Sequence, residues 1–224
     1  MTIDVAAREP APRQDNQDPA LFGQTPSQTV GPFFHYGLPW KGGADLYGQS
    51  DMGARPDLFP EAHYVLNLSS PRGTPEGEQI LIAGRILDAD GQPVPDAMVE
   101  LWQADAQGRY RSRDDRHGTN DPAFIGFGRS STDEDGVWRF RTVRPGRVDG
   151  DQAAHVALSI FGRGMLKRLA TRLYFADGEG NDRDPVLAVV PPERRDTLIA
   201  TRRDDAWWLD IALGGDRETV FFDL

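Results

Sequence analysis

The segment Val137-Trp-Arg-Phe-Arg-Thr-Val143 alternates along its length, with Trp138 and Phe140 on one side and Arg139 and Arg141 on the other. A period of two is the signature of a half-buried strand. Further β-prone runs occupy Gln79 to Leu87, Ala97 to Gln103, His155 to Phe161, Thr171 to Phe175, Trp207 to Leu213 and Thr219 to Asp223. Turn chemistry punctuates them at Asp88-Ala-Asp-Gly91, Asp105-Ala-Gln-Gly108, Asp133-Glu-Asp-Gly136 and Leu213-Gly-Gly-Asp216. These strands suffice for two packed sheets, so the pattern predicts an all-β fold, a β-sandwich of mostly antiparallel strands with long loops. One short helix is predicted over Pro192 to Ala200, where Pro192 and Glu193 fall in the first turn. No repeat of fixed period interrupts this organisation.

Composition sets the boundaries. Residues 1–24 are rich in Pro, Gln and Asp and follow neither period, which predicts a flexible N-terminal arm before a single domain over 25–224. At 224 residues the chain is long enough for one well-buried core. The formal charge of -10, with Arg interspersed among Asp and Glu, argues against a nucleic-acid partner. The longest apolar runs, such as Val156 to Phe161, fall far short of a membrane span, and Met1 to Ala20 has no apolar centre of the kind a secretory signal needs. A cytoplasmic location is the corresponding expectation. Zero cysteines exclude disulfides, thiolate metal sites and cysteine nucleophiles.

Two stretches carry chemistry. The strand, Asp-Gly turn and strand from Gly84 to Val99 are generic, and non-enzymatic transthyretin-like binding modules share them. The continuation Glu100-Leu-Trp-Gln-Ala-Asp-Ala-Gln-Gly-Arg-Tyr110 is more specific and resembles the intradiol ring-cleavage dioxygenases. So do Thr25-Pro-Ser-Gln-Thr-Val-Gly-Pro-Phe-Phe-His-Tyr-Gly37, Phe161-Gly-Arg-Gly164, Thr171-Arg-Leu-Tyr-Phe175 and the ending Glu218-Thr-Val-Phe-Phe-Asp-Leu224. The likeness runs over nearly everything from Thr25 to Leu224 apart from a variable loop at about 39–78.

That resemblance implies opening of a catechol ring by O2 between its two hydroxyl-bearing carbons, at Fe(III) held by two Tyr and two His, the His as a His-X-His pair on one face of a strand. Hard phenolate and imidazole donors suit ferric iron. In this sequence Tyr110 stands at one Tyr position and His155 at the first His position, but Ala157 stands at the second. No Tyr follows the Arg144-Pro-Gly146 turn before Tyr174. Tyr110 and His155 therefore read as vestigial ligand positions, and no metal site is expected in this chain.

Some members of the family pair two homologous chains, and the resemblance is to the iron-free one. It implies a β chain of the same fold that binds Fe(III), an (αβ)n oligomer, and a small aromatic acid as substrate with O2. It places Thr29, Gly31, Pro32 and Arg163 of this chain at the substrate pocket and no catalytic residue in this chain alone. Gly31 permits close backbone approach, Pro32 fixes the chain direction, Thr29 offers a hydroxyl, and Arg163 between two glycines could pair with an anionic ring substituent. The Phe33-Phe34 and Trp207-Trp208 pairs and Thr219 to Phe222 could cover a partner or line the core. Two other readings stay open: a self-sufficient intradiol dioxygenase with an unusual ligand set, and a transthyretin-like binding module.

Overall fold

In the computed structural model the described residues are 28–31, 34, 43–47, 49–53, 73–112, 118 and 120–223. The expected arm at 1–24, Pro32, Phe33, His35, His63, His117 and most of the variable loop lie outside them.

Among the described residues, nine strands form the body: β1 (Gln79–Leu87), β2 (Met98–Gln103), β3 (Phe127–Ser131), β4 (Val137–Val143), β5 (His155–Phe161), β6 (Leu169–Phe175), β7 (Ile199–Arg203), β8 (Ala206–Trp208) and β9 (Ile211–Ala212). Their order is β3-β2-β5-β6-β7-β8-β1-β4, with β9 also beside β1. The pairs β1–β4, β2–β3, β2–β5, β5–β6 and β7–β8 are antiparallel, whereas β1–β8, β1–β9 and β6–β7 are parallel. The strand β7 joins two layers. Its residues Ile199 and Ala200 pair with β6, and Thr201, Arg202 and Arg203 pair with β8. Between the layers, Leu101, Leu158, Ile160, Leu173 and Phe175 meet Ile82, Ile86, Trp138 and Phe140 in one apolar core. This is the two-layer, mostly antiparallel β architecture that the alternation predicts.

Several boundaries depart from the sequence pattern, each for a local reason. The run Trp207 to Leu213 is split into β8 and β9 because it crosses Gly84. A Cβ there would lie 1.7 Å from the Leu209 carbonyl oxygen, so only glycine admits that close crossing. The main-chain N–H of Arg85 is then taken by the Asp210 carboxylate at 3.0 Å. Thr219 to Asp223 is not a strand. Its backbone is held by scattered partners: Thr219 N–H donates to Ala212 O, Val220 O accepts from the Thr171 hydroxyl, and Phe222 forms a single bridge with Ala170. The strand β3 was not expected, since its inward positions are Gly128 and Ser130 rather than large apolar residues. The helix at Pro192–Leu198 is a 3-10 helix that stops where Ile199 enters β7. A second helix, α1 (Pro185–Val189), precedes it. Asp184 caps α1 by accepting from the N–H groups of Val186 and Leu187.

Trp207 is 6% exposed and packs edge-on to Phe175 at 5.2 Å, so it belongs to the core and not to a free surface.

Candidate functional site

Tyr110 reaches its place through a turn organised by Asp105. The buried Asp105 carboxylate accepts from the N–H groups of Gln107, Arg109 and Asp121 at 3.0, 2.9 and 2.9 Å, and from Arg109 Nε at 3.2 Å. Gly108 closes the turn at φ 79°, where a Cβ would fall 2.0 Å from Arg147 O. The chain then delivers the Tyr110 hydroxyl to 3.4 Å from Nε2 of His155, the first residue of β5. The sequence-derived pair is thus brought together.

His155 is buried, and its Nδ1–H donates to Ala153 O at 2.8 Å. In that tautomer Nε2 is an acceptor and the Tyr110 hydroxyl donates to it. Burial, with the charge of Arg172 adding to it, pushes the imidazole pKa down to about 4 from 6.5. The ring is therefore neutral at physiological pH.

The described residues around this pair do not suit ferric iron. Ala157 offers a methyl where the His-X-His pattern needs its second imidazole, and its cross-strand neighbours are Trp102 and Arg172. Arg172 places a permanent cation close enough to His155 to act on its charge, where it opposes another cation. Its Nη1 donates to Gln152 Oε1 at 2.9 Å and to the Tyr174 hydroxyl at 3.3 Å. Tyr174 lies opposite His155 and is the other phenol in reach among the described residues, with the rings 5.8 Å apart. Its hydroxyl donates to Asp184 Oδ1 at 3.1 Å, and burial pushes its pKa well above the usual phenol range. A phenol held protonated and spoken for is not a ferric ligand. Among the described residues no group of three His, Asp or Glu is gathered as a metal would require.

A second cluster forms past the other end of β5. Val30 makes a parallel bridge to Arg163, and Gly164 N–H donates to the Thr29 hydroxyl at 2.8 Å. Around Gly31 no described residue comes within 4 Å of where a Cβ would point. The structure thus brings Thr29, Gly31 and Arg163 side by side. Arg163 is 61% exposed and lies 3.9 Å from the Asp96 carboxylate. The seven residues of β5 span about 20 Å, so this rim is too distant to act on anything at Tyr110 and His155.

Beside the Tyr110–His155 centre runs a groove of about 530 Å³, lined by Trp102, Phe127, Ala157, Arg168, Arg172 and Phe222 among others. Trp102 is 45% exposed there, an unusual state for so large a side chain. Sequence reasoning used Trp102 as part of a motif and missed it as surface. It also missed Arg172 and Asp184, although the i, i+17 spacing to His155 across the β5–β6 hairpin brings Arg172 opposite Ala157.

A protein-family model described as Dioxygenase matches residues 59–208. The alpha chain of protocatechuate 3,4-dioxygenase from Burkholderia cepacia is 40% identical over 211 residues, covering 90% of this chain and 98% of that one. The beta chain of the same enzyme from Burkholderia cepacia is 37% identical over 184 residues, covering 79% and 76%. A solved intradiol ring-cleavage dioxygenase from Tetranychus urticae superposes with a TM-score of 0.50 at 19% identity, covering 62% of this chain and 81% of that one, a likeness of fold.

Proposed function

The chain belongs to the intradiol ring-cleaving dioxygenase family, and from that membership we propose that it is the α subunit of a protocatechuate 3,4-dioxygenase. The reaction is cleavage of 3,4-dihydroxybenzoate by O2, with both oxygen atoms incorporated, to 3-carboxy-cis,cis-muconate. The family is iron-dependent, and the partner in this reading is a homologous β chain whose own side chains hold Fe(III). The observation that carries the assignment is the pairing of an incomplete donor set at Tyr110 and His155 with the fixed charge of Arg172.

In the assembled enzyme, this chain contributes at the substrate pocket through Thr29, Gly31, Pro32 and Arg163. Three of these stand together at the exposed rim, about 20 Å along β5 from the vestigial centre, which supports their serving a pocket on another polypeptide. The overall charge of -10 repels an aromatic carboxylate, so a local cation is needed, and Arg163 supplies it. The similarity of this chain to both alpha and beta chains supports two partners of one fold in an (αβ)n oligomer. The larger of two apolar clusters runs from Ala44 to Ile211, with a smaller one around Tyr174 and Leu198, which supports a single domain over 25–224 following the 1–24 arm. Among the described residues no helix is long and apolar enough to cross a membrane, and the proposed location is the cytoplasm.

Reconstitution tests the proposal. This chain is co-expressed with a β chain that carries two Tyr and a His-X-His pair, and oxygen uptake with 3,4-dihydroxybenzoate is followed for each chain and for the complex. Turnover that depends on the complex supports the assignment. Turnover by this chain alone, or a complex no more active than the β chain alone, overturns it.

A further inference from the structure

We infer that Asp96 is a specificity-determining residue that acts through Arg163, lowering the positive charge that the rim presents to an anionic substrate. The inference rests on the proposed role of Arg163 and goes beyond it.

The placement follows from strand register. In the antiparallel β2–β5 pair Met98 stands opposite Phe161. Carried two residues past the end of the ladder, the same register sets Asp96 opposite Arg163. Charged side chains facing each other across two strands interact directly. The observed separation of Arg163 Nη1 and Asp96 Oδ2 is 3.9 Å.

The character of the contact decides what it does. At 3.9 Å it lies beyond hydrogen-bond range, so it fixes the direction of the guanidinium only weakly. Both side chains are more than half exposed, at 61% and 56%, so the pair is solvated and exchangeable. A tight, buried pair would keep Arg163 from any ligand. This loose one leaves it available while offsetting part of its charge. An incoming ring carboxylate must take the place of the Asp96 carboxylate, and Asp96 itself repels it. Asp96 thus sets how strongly a carboxylated catechol is favoured over an uncharged one.

The backbone makes the test clean. Asp96 has φ 62°, in the left-handed region that Asn and Asp tolerate better than other residues with side chains. Asp96→Asn therefore removes the charge while keeping shape and conformation, and Asp96→Gly, which also relaxes the backbone, serves as a second variant.

In the assembled αβ complex, Asp96→Asn is expected to lower KM for 3,4-dihydroxybenzoate about 2- to 5-fold, the range that an exposed ion pair can supply. The change is confined to KM, and KM for unsubstituted catechol stays as in the wild type. The gain shrinks at high ionic strength, because exposed charges are screened. Equal shifts for both catechols, no shift for either, or a rise in KM for the acid overturns the inference while the assigned reaction stands. A wild-type complex that turns over neither catechol overturns the assigned reaction itself, and this inference with it.

Discussion

Lowering the pH should weaken the fold through His155, and by a calculable amount. The imidazole is buried against Ala153 and Tyr110, and its pKa falls to about 4 from 6.5. The folded state thus resists a proton that the unfolded chain accepts between pH 6.5 and pH 4, and stability falls as pH drops through that window. Integrating those two values gives a loss of about 1.4 kcal/mol at pH 5.5, rising towards roughly 3 kcal/mol below pH 4. Carboxylates elsewhere also titrate, so the informative quantity is a difference. Urea unfolding of the wild type and His155→Gln at pH 7.5 and 5.5 isolates it: the wild type should lose about 1.4 kcal/mol more than the variant between the two conditions. Equal losses in both proteins would show that His155 ionises freely in the fold, and the account of a neutral, hydrogen-bonded imidazole would fail.

Other outcomes follow from the same contacts. Asp184 is fully buried and accepts from Ala153 N–H, Tyr174 hydroxyl and the first turn of α1. Asp184→Ala should cost about 3 kcal/mol or more in urea unfolding, and a cost under about 1 kcal/mol would remove it as the anchor of this region. Arg163→Ala in the αβ complex should raise KM for 3,4-dihydroxybenzoate about 10- to 100-fold, equivalent to about 1.4 to 2.8 kcal/mol, and unchanged steady-state kinetics would take Arg163 out of the pocket.

The legible part of the fold was the part written in large apolar side chains. β1, β4 and β5 have the bounds that their alternation indicates, because their inward positions hold Ile, Trp, Phe, Val and Leu. β3 was illegible because Gly128 packs where no side chain fits: a Cβ there would lie 2.7 Å from the Leu46 side chain and 2.8 Å from Gly43 O. The start of α1 was present in the Asp184-Pro185 dipeptide, a cap followed by proline, but five residues leave no room for a helical period. At the site, Tyr110 and His155 could be picked out only through the resemblance to the family's motifs. Arg172 could not, since only the hairpin register brings it opposite Ala157. The clustering of Thr29 with Arg163 likewise depends on a contact from Gly164 to Thr29 across 135 residues of chain, which no local pattern encodes.

The central claim concerns coordination, and metal content of the purified chain without any partner tests it most directly. Elemental analysis after expression in iron-replete medium, read together with the visible absorption of tyrosinate bound to ferric ion, should find neither iron nor colour in this chain, and both in its complex with a β chain. Stoichiometric iron and that absorption band in the lone chain would contradict the account.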